Sequence, residues 1–406
     1  MLRDYSQFAR SNYHFLLFGL LTAFFGNFGQ TFFIAWYGGS IREAFDLSSR
    51  DYGLIYSMAT LTSGFIILYV GALLDRISLR KFTYFTSAGL ALGCILMGLS
   101  QSLWMLVAGL FLLRFCGQGL MFHISFTSMA RYFDQNRGKA IGIVGFGMPL
   151  GEAVLPTIAF ALIAGIGWQQ SWLALAALIA IVYWPFMHYL LARSKERLTR
   201  IEAEQLQSKS SGQTEKSWTR AQVVRDIKFW MLLPAIMAPA FIVTGILIHQ
   251  DVLLSTKNWS EEWFTICFYA LAIAHLKASL ITGSLVDRYS GKKLVRIYLF
   301  PLLLAVGLLA LPLDHAVLAM LAMLFLGLSI GAGGPVIGSL WVEVYGSANL
   351  GAIRSLVTSI MVFSTAISPV LFGWLFDSKF AYSSVMEMLI IYILASSTLV
   401  WVALKK

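Results

Sequence analysis

Twelve long apolar runs restrict this 406-residue chain to a fold built inside a membrane. They lie near residues 14–36, 53–73, 83–100, 104–130, 139–164, 170–192, 228–250, 263–285, 294–312, 317–341, 353–375 and 385–403. Roughly 20 apolar residues in helical form cross a hydrocarbon core. Backbone polar groups find no water there, so each run must satisfy them internally. The runs are too long and too uniformly apolar for the ~10-residue alternating strands of a barrel. With 58% hydrophobic and 12% charged residues, the chain is expected to be an all-α membrane protein with 12 transmembrane helices.

The 30 Lys and Arg residues orient it. With an even number of spans, only Arg42, Arg50, Lys257 and Lys379 fall on the outer side, while Arg114 and Lys277 lie within spans. The remainder gather on one side, which predicts that both termini are cytoplasmic. The net charge of +10 then reflects topology and attraction to the lipid bilayer, and no basic domain supports nucleic-acid binding. Cys94, Cys116 and Cys267 sit inside spans, so a disulfide framework and a cysteine metal site are not expected. The first span is too long and too late for a cleaved signal and is expected to stay as an anchor.

One long hydrophilic stretch, RSKERLTRIEAEQLQSKSSGQTEKSWTR, separates an N-terminal six-helix bundle (1–192) from a C-terminal one (228–406), with a cytoplasmic linker at 193–227. The halves repeat. GALLDRISLRK at 71–81 and GSLVDRYSGKK at 283–293 place Asp75 and Asp287 at matching positions after the second span of each half. Asn136, Gly138 and Pro156 likewise match Asn349, Gly351 and Pro369. Several residue types at nearly one offset point to a parallel duplication and two pseudo-symmetric bundles.

These features together resemble the major facilitator superfamily. Its loop motif is matched by Gly71, Asp75, Arg76, Arg80 and Lys81, and again by Gly283, Asp287, Arg288, Lys292 and Lys293. Ser78 and Ser290 depart from the pattern. RFCGQG in the fourth span is similar to the family's Arg followed by Gln-Gly, here Arg114, Gln118 and Gly119, with Gly117 inserted. The resemblance implies a monomeric secondary transporter without cofactors, working by alternating access. It also implies a cytoplasmic gating latch in which Asp75 meets the start of span eleven near Arg354. NRGKAIGIVGFGMPLGEAVLP and PAIMAPAFIVTGILIHQ are similar in texture to a bacterial branch that imports copper or riboflavin.

Charge inside a span is costly and persists where it faces a cavity or a partner. Arg114 and Glu152 are near mid-span, and Glu152 breaks the internal repeat because its counterpart is Thr365. A carboxyl in low dielectric near a cation can serve as a proton site or form a static pair, and both readings stay open. Glu152, Arg114 and His275 are the proton-coupling candidates. The substrate-binding candidates are Asn27, Gln30 and Thr31 in the Phe-rich first span, then Arg114, Gln118, Met148, His249 and Lys277. Interhelical hydrogen bonds are the competing reading for the amides. His275 and Lys277 are two apart on a helix and point to different sides. Lys277 could bind an anion or pair with a carboxylate such as Glu343.

No phosphate-binding G-x-x-x-x-G-K-[ST] loop and no nucleophile with its base is present, so neither an ATP-driven pump nor an enzyme is expected. The reading is a multi-pass protein of a bacterial inner membrane that couples protons to uptake of a small organic solute, anionic or vitamin-like. A Cu(I) importer using Met121, Met129, Met148, Met231 and Met237 with His123 and His275, an efflux antiporter and a nontransporting sensor are the alternatives, and no metal site is assigned.

Overall fold

The computed structural model describes residues 2–70, 74, 77–133, 137–194, 218–346 and 350–405. Gly71, Asp75, Arg76 and most of the expected linker 193–227 lie outside the described residues, as do the side chains of Asp287 and Arg354.

Every regular element among the described residues is helical. Eight helices are long and apolar enough to cross a membrane, or nine when the bent pair Tyr13–Gly29 and Thr31–Phe45 counts as one span. Their ends follow local chemistry. Ser102 accepts from the Met105 N–H, Ser260 from that of Trp263 and Asp226 from that of Lys228, each filling a donor that the first turn leaves open. Gly167 and Gly346 take φ of 81° and 86° where helices break, a conformation free of strain only without a Cβ.

The expected runs at 53–73 and 83–100 are helical over Ser49–Val70 and Leu79–Gly98 without meeting that test, and two further runs differ in shape. The ninth run is helical only over Phe300–Ala310. Pro301 lacks an N–H and favours the first turn, so the helix starts there rather than at 294. The first run, continuously apolar in sequence, bends by 48° where Gln30 adopts extended φ −79° and ψ 149°.

The contacts divide the chain into two compact units. The first comprises Met1–Ile34, Met58–Gly151 and Ala161–Gln213. In it, Tyr13–Gly26 packs on Phe122–Tyr132 and Arg137–Gly145, and Leu79–Gly98 packs on Leu103–Leu112 and Trp168–Leu178. Buried aromatic rings such as Phe28, Phe33 and Trp172 fill its core, with Phe33 and Trp172 edge to face at 5.7 Å.

The second unit comprises Ala35–Ser57, Glu152–Phe160 and Thr214–Lys406. Its central contact is between Glu261–Tyr289 and Ala316–Tyr345. Two glycines of Ala316–Tyr345 make that approach possible: a Cβ on Gly327 would lie 2.2 Å from the Leu271 carbonyl oxygen, and one on Gly331 would lie 2.2 Å from that of His275.

Candidate functional site

In the first unit, residues Leu113–Met121 wind as a π-helix inside the span Leu103–Met129. Such bulges widen the turn and recur at functional sites. Gly117 sits in this stretch against the bend of the first span. A Cβ on Gly117 would lie 2.7 Å from the Gly29 nitrogen, and one on Gly29 would lie 2.0 Å from the Leu113 carbonyl oxygen. Backbone therefore meets backbone where both helices are irregular.

This contact delivers Arg114 to the bend. Its guanidinium is buried to 1% exposure. Nε donates to Thr60 Oγ1 at 3.1 Å, and Nη1 donates to the Gly29 carbonyl at 3.0 Å and to Thr31 Oγ1 at 3.3 Å. Gly29 ends the first half of the broken helix, where unsatisfied carbonyls carry partial negative charge and attract a cation. In this stretch Met121 is fully buried, while Gln118 and, at the bend, Gln30 are half-buried; one turn on, Ser125 donates to the Gly19 carbonyl at 2.8 Å.

Asn27 is buried and donates to the carbonyls of Ala23, Phe24 and Gly147, and a Cβ on Gly151 would collide with it at 2.1 Å. It ties two helices together. Met148, one residue along from Gly147, is half-buried.

In the second unit, Glu152 is bound by His275, with Nδ1 2.7 Å from the Oε2 oxygen and side-chain exposures of 3% for Glu152 and 13% for His275. The sequence left open a pairing of Glu152 with Arg114; the structure gives the carboxylate a histidine and gives Arg114 oxygens of Thr60, Gly29 and Thr31. Thr157 and Tyr269 join the same two helices by a hydroxyl bond of 3.1 Å. Gly331 presses on the carbonyl of His275 from behind and fixes where the imidazole starts.

Lys277 is exposed beside Ile273, Leu280 and Ile281. Its suggested partner Glu343 is occupied elsewhere: the carboxylate accepts from the backbone N–H of Gly291 at 2.6 Å, that of Lys292 at 3.0 Å and the Ser339 hydroxyl at 2.6 Å. In the loop motifs, Arg288 lies over the Tyr289 ring at 5.2 Å, and Gly283 has open space where a Cβ would be. Lys81 and Lys293 lie at helix starts, and Arg80 contacts His188.

A third cluster in the second unit escaped the sequence reading. Arg42 pairs with Asp251 and donates to Ser49 Oγ at 2.7 Å. The Arg50 N–H donates to Asp377 at 2.9 Å, Ser57 donates to the Ala366 carbonyl, and His249 Nε2 bonds the Pro369 carbonyl at 2.9 Å. Gly53 and Gly373 permit this approach, since a Cβ on either would lie 2.5–2.6 Å from the carbonyl oxygen of Pro369 or Ser49. His249, read as a substrate candidate, is a buried tie at 1% exposure. The only sequence signal for the cluster was cations on the outer side, which names no partners.

The model of the Major Facilitator Superfamily matches residues 16–369. The chain belongs to this family. It is similar to an uncharacterized MFS-type transporter, YhjX, of Escherichia coli, with 22% identity over 354 residues covering 85% of this chain and 83% of the relative. It is also similar to the phosphoglycerate transporter protein of Salmonella typhimurium, 23% identical over 278 residues, covering 63% of this chain and 59% of that protein. The fold is that of the nucleoside transporter NupG, solved as a point mutant, with a TM-score of 0.73 at 12% identity over 96% of this chain and 99% of the other. The protein is thus a multi-pass integral membrane transporter of a small solute and not an enzyme.

Proposed function

We propose that this major facilitator protein takes up a small organic anion together with protons, and that Glu152 and His275 form its proton site. The carrying observation is the buried 2.7 Å contact between them. Moving a proton from one partner to the other changes no net charge. Adding or removing one leaves an unbalanced charge in a medium that penalises it by several kcal/mol, so proton exchange is tied to a change in surroundings. The two residues lie on Gly147–Ile166 and Glu261–Tyr289, one helix from each half of the sequence repeat. A change in how these helices pack alters the hydration of both groups at once, which is the coupling that alternating access requires.

For the solute, the support is Arg114. A guanidinium presents a planar fork of donors suited to carboxylate and phosphate, and its bonds to Thr31 and Thr60 hold it oriented within the first unit. The named substrate of the Salmonella relative, phosphoglycerate, carries both groups. The two six-helix halves, both termini in the cytoplasm and a monomeric state complete the reading.

The test is uptake into proteoliposomes of labelled 3-phosphoglycerate, lactate, riboflavin and Cu(I), with and without an inward proton gradient. Anion uptake driven by the gradient, abolished in Arg114→Ala, supports the proposal. Uptake of riboflavin or Cu(I) alone, or anion uptake indifferent to the gradient, overturns it.

A further inference from the structure

The bend of the first span has a second support, which the transport reading does not use. A row of buried rings crosses it, and both ends of the row sit on one helix, the span Trp168–Arg193. Tyr183 lies 5.0 Å from Phe25, Phe25 lies 5.5 Å from Phe28, Phe28 stacks on Phe33 at 5.4 Å, and Phe33 and Trp172 meet edge to face at 5.7 Å. None of the five is more than 3% exposed. Tyr183 also bonds the first span directly. Thr22 Oγ1 gives its proton to the Phe18 carbonyl at 2.7 Å, so the Tyr183 hydroxyl, 3.0 Å away, is the donor to Thr22.

Two features make this more than an aromatic core. The same number of residues separates Thr22 from Phe33 as separates Trp172 from Tyr183, and the pairs run in opposite order along the chain. One antiparallel helix therefore holds the first span on both sides of its break, and its hold at Tyr183 falls in a second π-helical stretch, Ile179–Tyr183. The second feature is where the acceptors of Arg114 lie. The extended Gln30 interrupts the helix, so the angle between the halves is set by what packs on each. Nη1 of Arg114 donates to the Gly29 carbonyl, which belongs to the half held by Tyr183, and to Thr31, which belongs to the short helix Thr31–Ile34 held by Trp172 through Phe33. One guanidinium nitrogen is thus aimed by oxygens from both halves.

We infer that Trp172 and Tyr183 are positioning residues for Arg114: by fixing the two halves of the broken span relative to each other, they fix the two oxygens that orient its guanidinium. The inference rests on the reading of Arg114 as the seat of the transported anion. A planar fork of donors recognises carboxylate or phosphate by its orientation as well as its charge. Loosening either half therefore weakens the hold on the anion and leaves the helices that move during transport in place, so apparent affinity falls before maximal rate does.

Initial-rate uptake of 3-phosphoglycerate into proteoliposomes tests this, beside the Nε–H resonance of Arg114 in protein carrying isotope-labelled arginine, assigned by its loss in Arg114→Gln. Trp172→Leu should raise KM roughly ten-fold while the maximal rate stays within about two-fold. Tyr183→Phe keeps the ring, loses only the bond to Thr22 and should raise KM about three-fold; it decides the matter if Trp172→Leu does not fold. Phe15→Leu removes a buried ring of the same unit that packs on Phe18, Tyr132 and Phe133, and should lower the melting temperature similarly with KM unchanged. Added to Thr31→Val, Trp172→Leu should raise KM no further, because both remove the same orienting bond. An equal rise in Phe15→Leu, a full further rise in the double variant, or an unchanged KM in Trp172→Leu and Tyr183→Phe would overturn the inference. If wild type carries no anion, the transport reading of Arg114 falls and the resonance decides alone. A displacement in Trp172→Leu that is absent in Phe15→Leu sustains the positioning role, and no displacement ends it.

Discussion

Arg114 and the Glu152–His275 pair are both charges buried in apolar helices, yet they are held in opposite ways. Arg114 bonds two hydroxyls and the carbonyl end of a broken helix, groups that neither gain nor lose protons in the physiological range. Glu152 and His275 bond each other, and each can change charge. Under the proposed function, the difference assigns the two sites two tasks. A fixed cation is suited to recognising an anion, and a titratable pair is suited to responding to protons. What the sites share is glycine behind the working group: Gly29 and Gly117 behind Arg114, and Gly331 behind His275.

The shared glycines offer the strongest way to break the comparison. In Gly29→Ala the new methyl falls 2.0 Å from the Leu113 carbonyl and 2.5 Å from the Gln118 nitrogen, so backbone must move and Arg114 moves with it. Overpacking of this kind costs about 1–3 kcal/mol in stability. Anion binding and flux should both fall to background. Gly331→Ala displaces the His275 carbonyl instead, so binding should survive while proton-driven accumulation is lost. Gly334→Ala meets nothing within 4 Å and serves as the silent control. Isothermal binding beside uptake separates the three, and equal loss of binding in Gly29→Ala and Gly331→Ala would show that the tasks are not separate.

Length and apolarity made the helical membrane fold legible, because a run of more than 20 apolar residues has few other states. The bend at Gln30 was not legible: amide and glycine sit inside a run that stays apolar on both sides, and only the opposing π-stretch makes an irregular backbone tolerable there. Glu152 stood out because the repeat places Thr365 opposite it, and His275 stood out as an ionisable residue inside an apolar run. Their pairing did not, since it depends on which helices touch and at what height. Arg42, Asp251 and Asp377 carried no signal beyond charge near span ends, where ion pairs and solvated side chains look alike in sequence.

Removing charge while keeping shape sharpens the proton half of the comparison. Glu152→Gln retains a side chain able to bond His275 but cannot release a proton. Anion exchange without a gradient should continue within about three-fold of wild type, while uphill accumulation should fall at least about ten-fold, since no differential protonation remains to drive it. His275→Gln should act the same way. Counterflow beside gradient-driven uptake measures both, and accumulation that persists in Glu152→Gln would place the proton site elsewhere.

The smallest effect is expected at Arg42 and Asp251, and it tests whether the Arg42 cluster is held together by charge or by backbone contact. The two side chains are 21% and 30% exposed, and ion pairs at that exposure contribute about 0–1 kcal/mol. Around them, Gly53 and Gly373 touch facing carbonyls, while His249, Ser57 and Asp377 add hydrogen bonds that do not involve the pair. Arg42→Gln should therefore raise the labelling rate of a Ser57→Cys reporter, read with a membrane-impermeant maleimide, by no more than about five-fold. The exchange Arg42→Asp with Asp251→Arg should bring it back. A rise of about a hundred-fold would make the ion pair the main tie and leave the glycine contacts as its consequence; no rise at all would assign the cluster's cohesion entirely to the packed backbone.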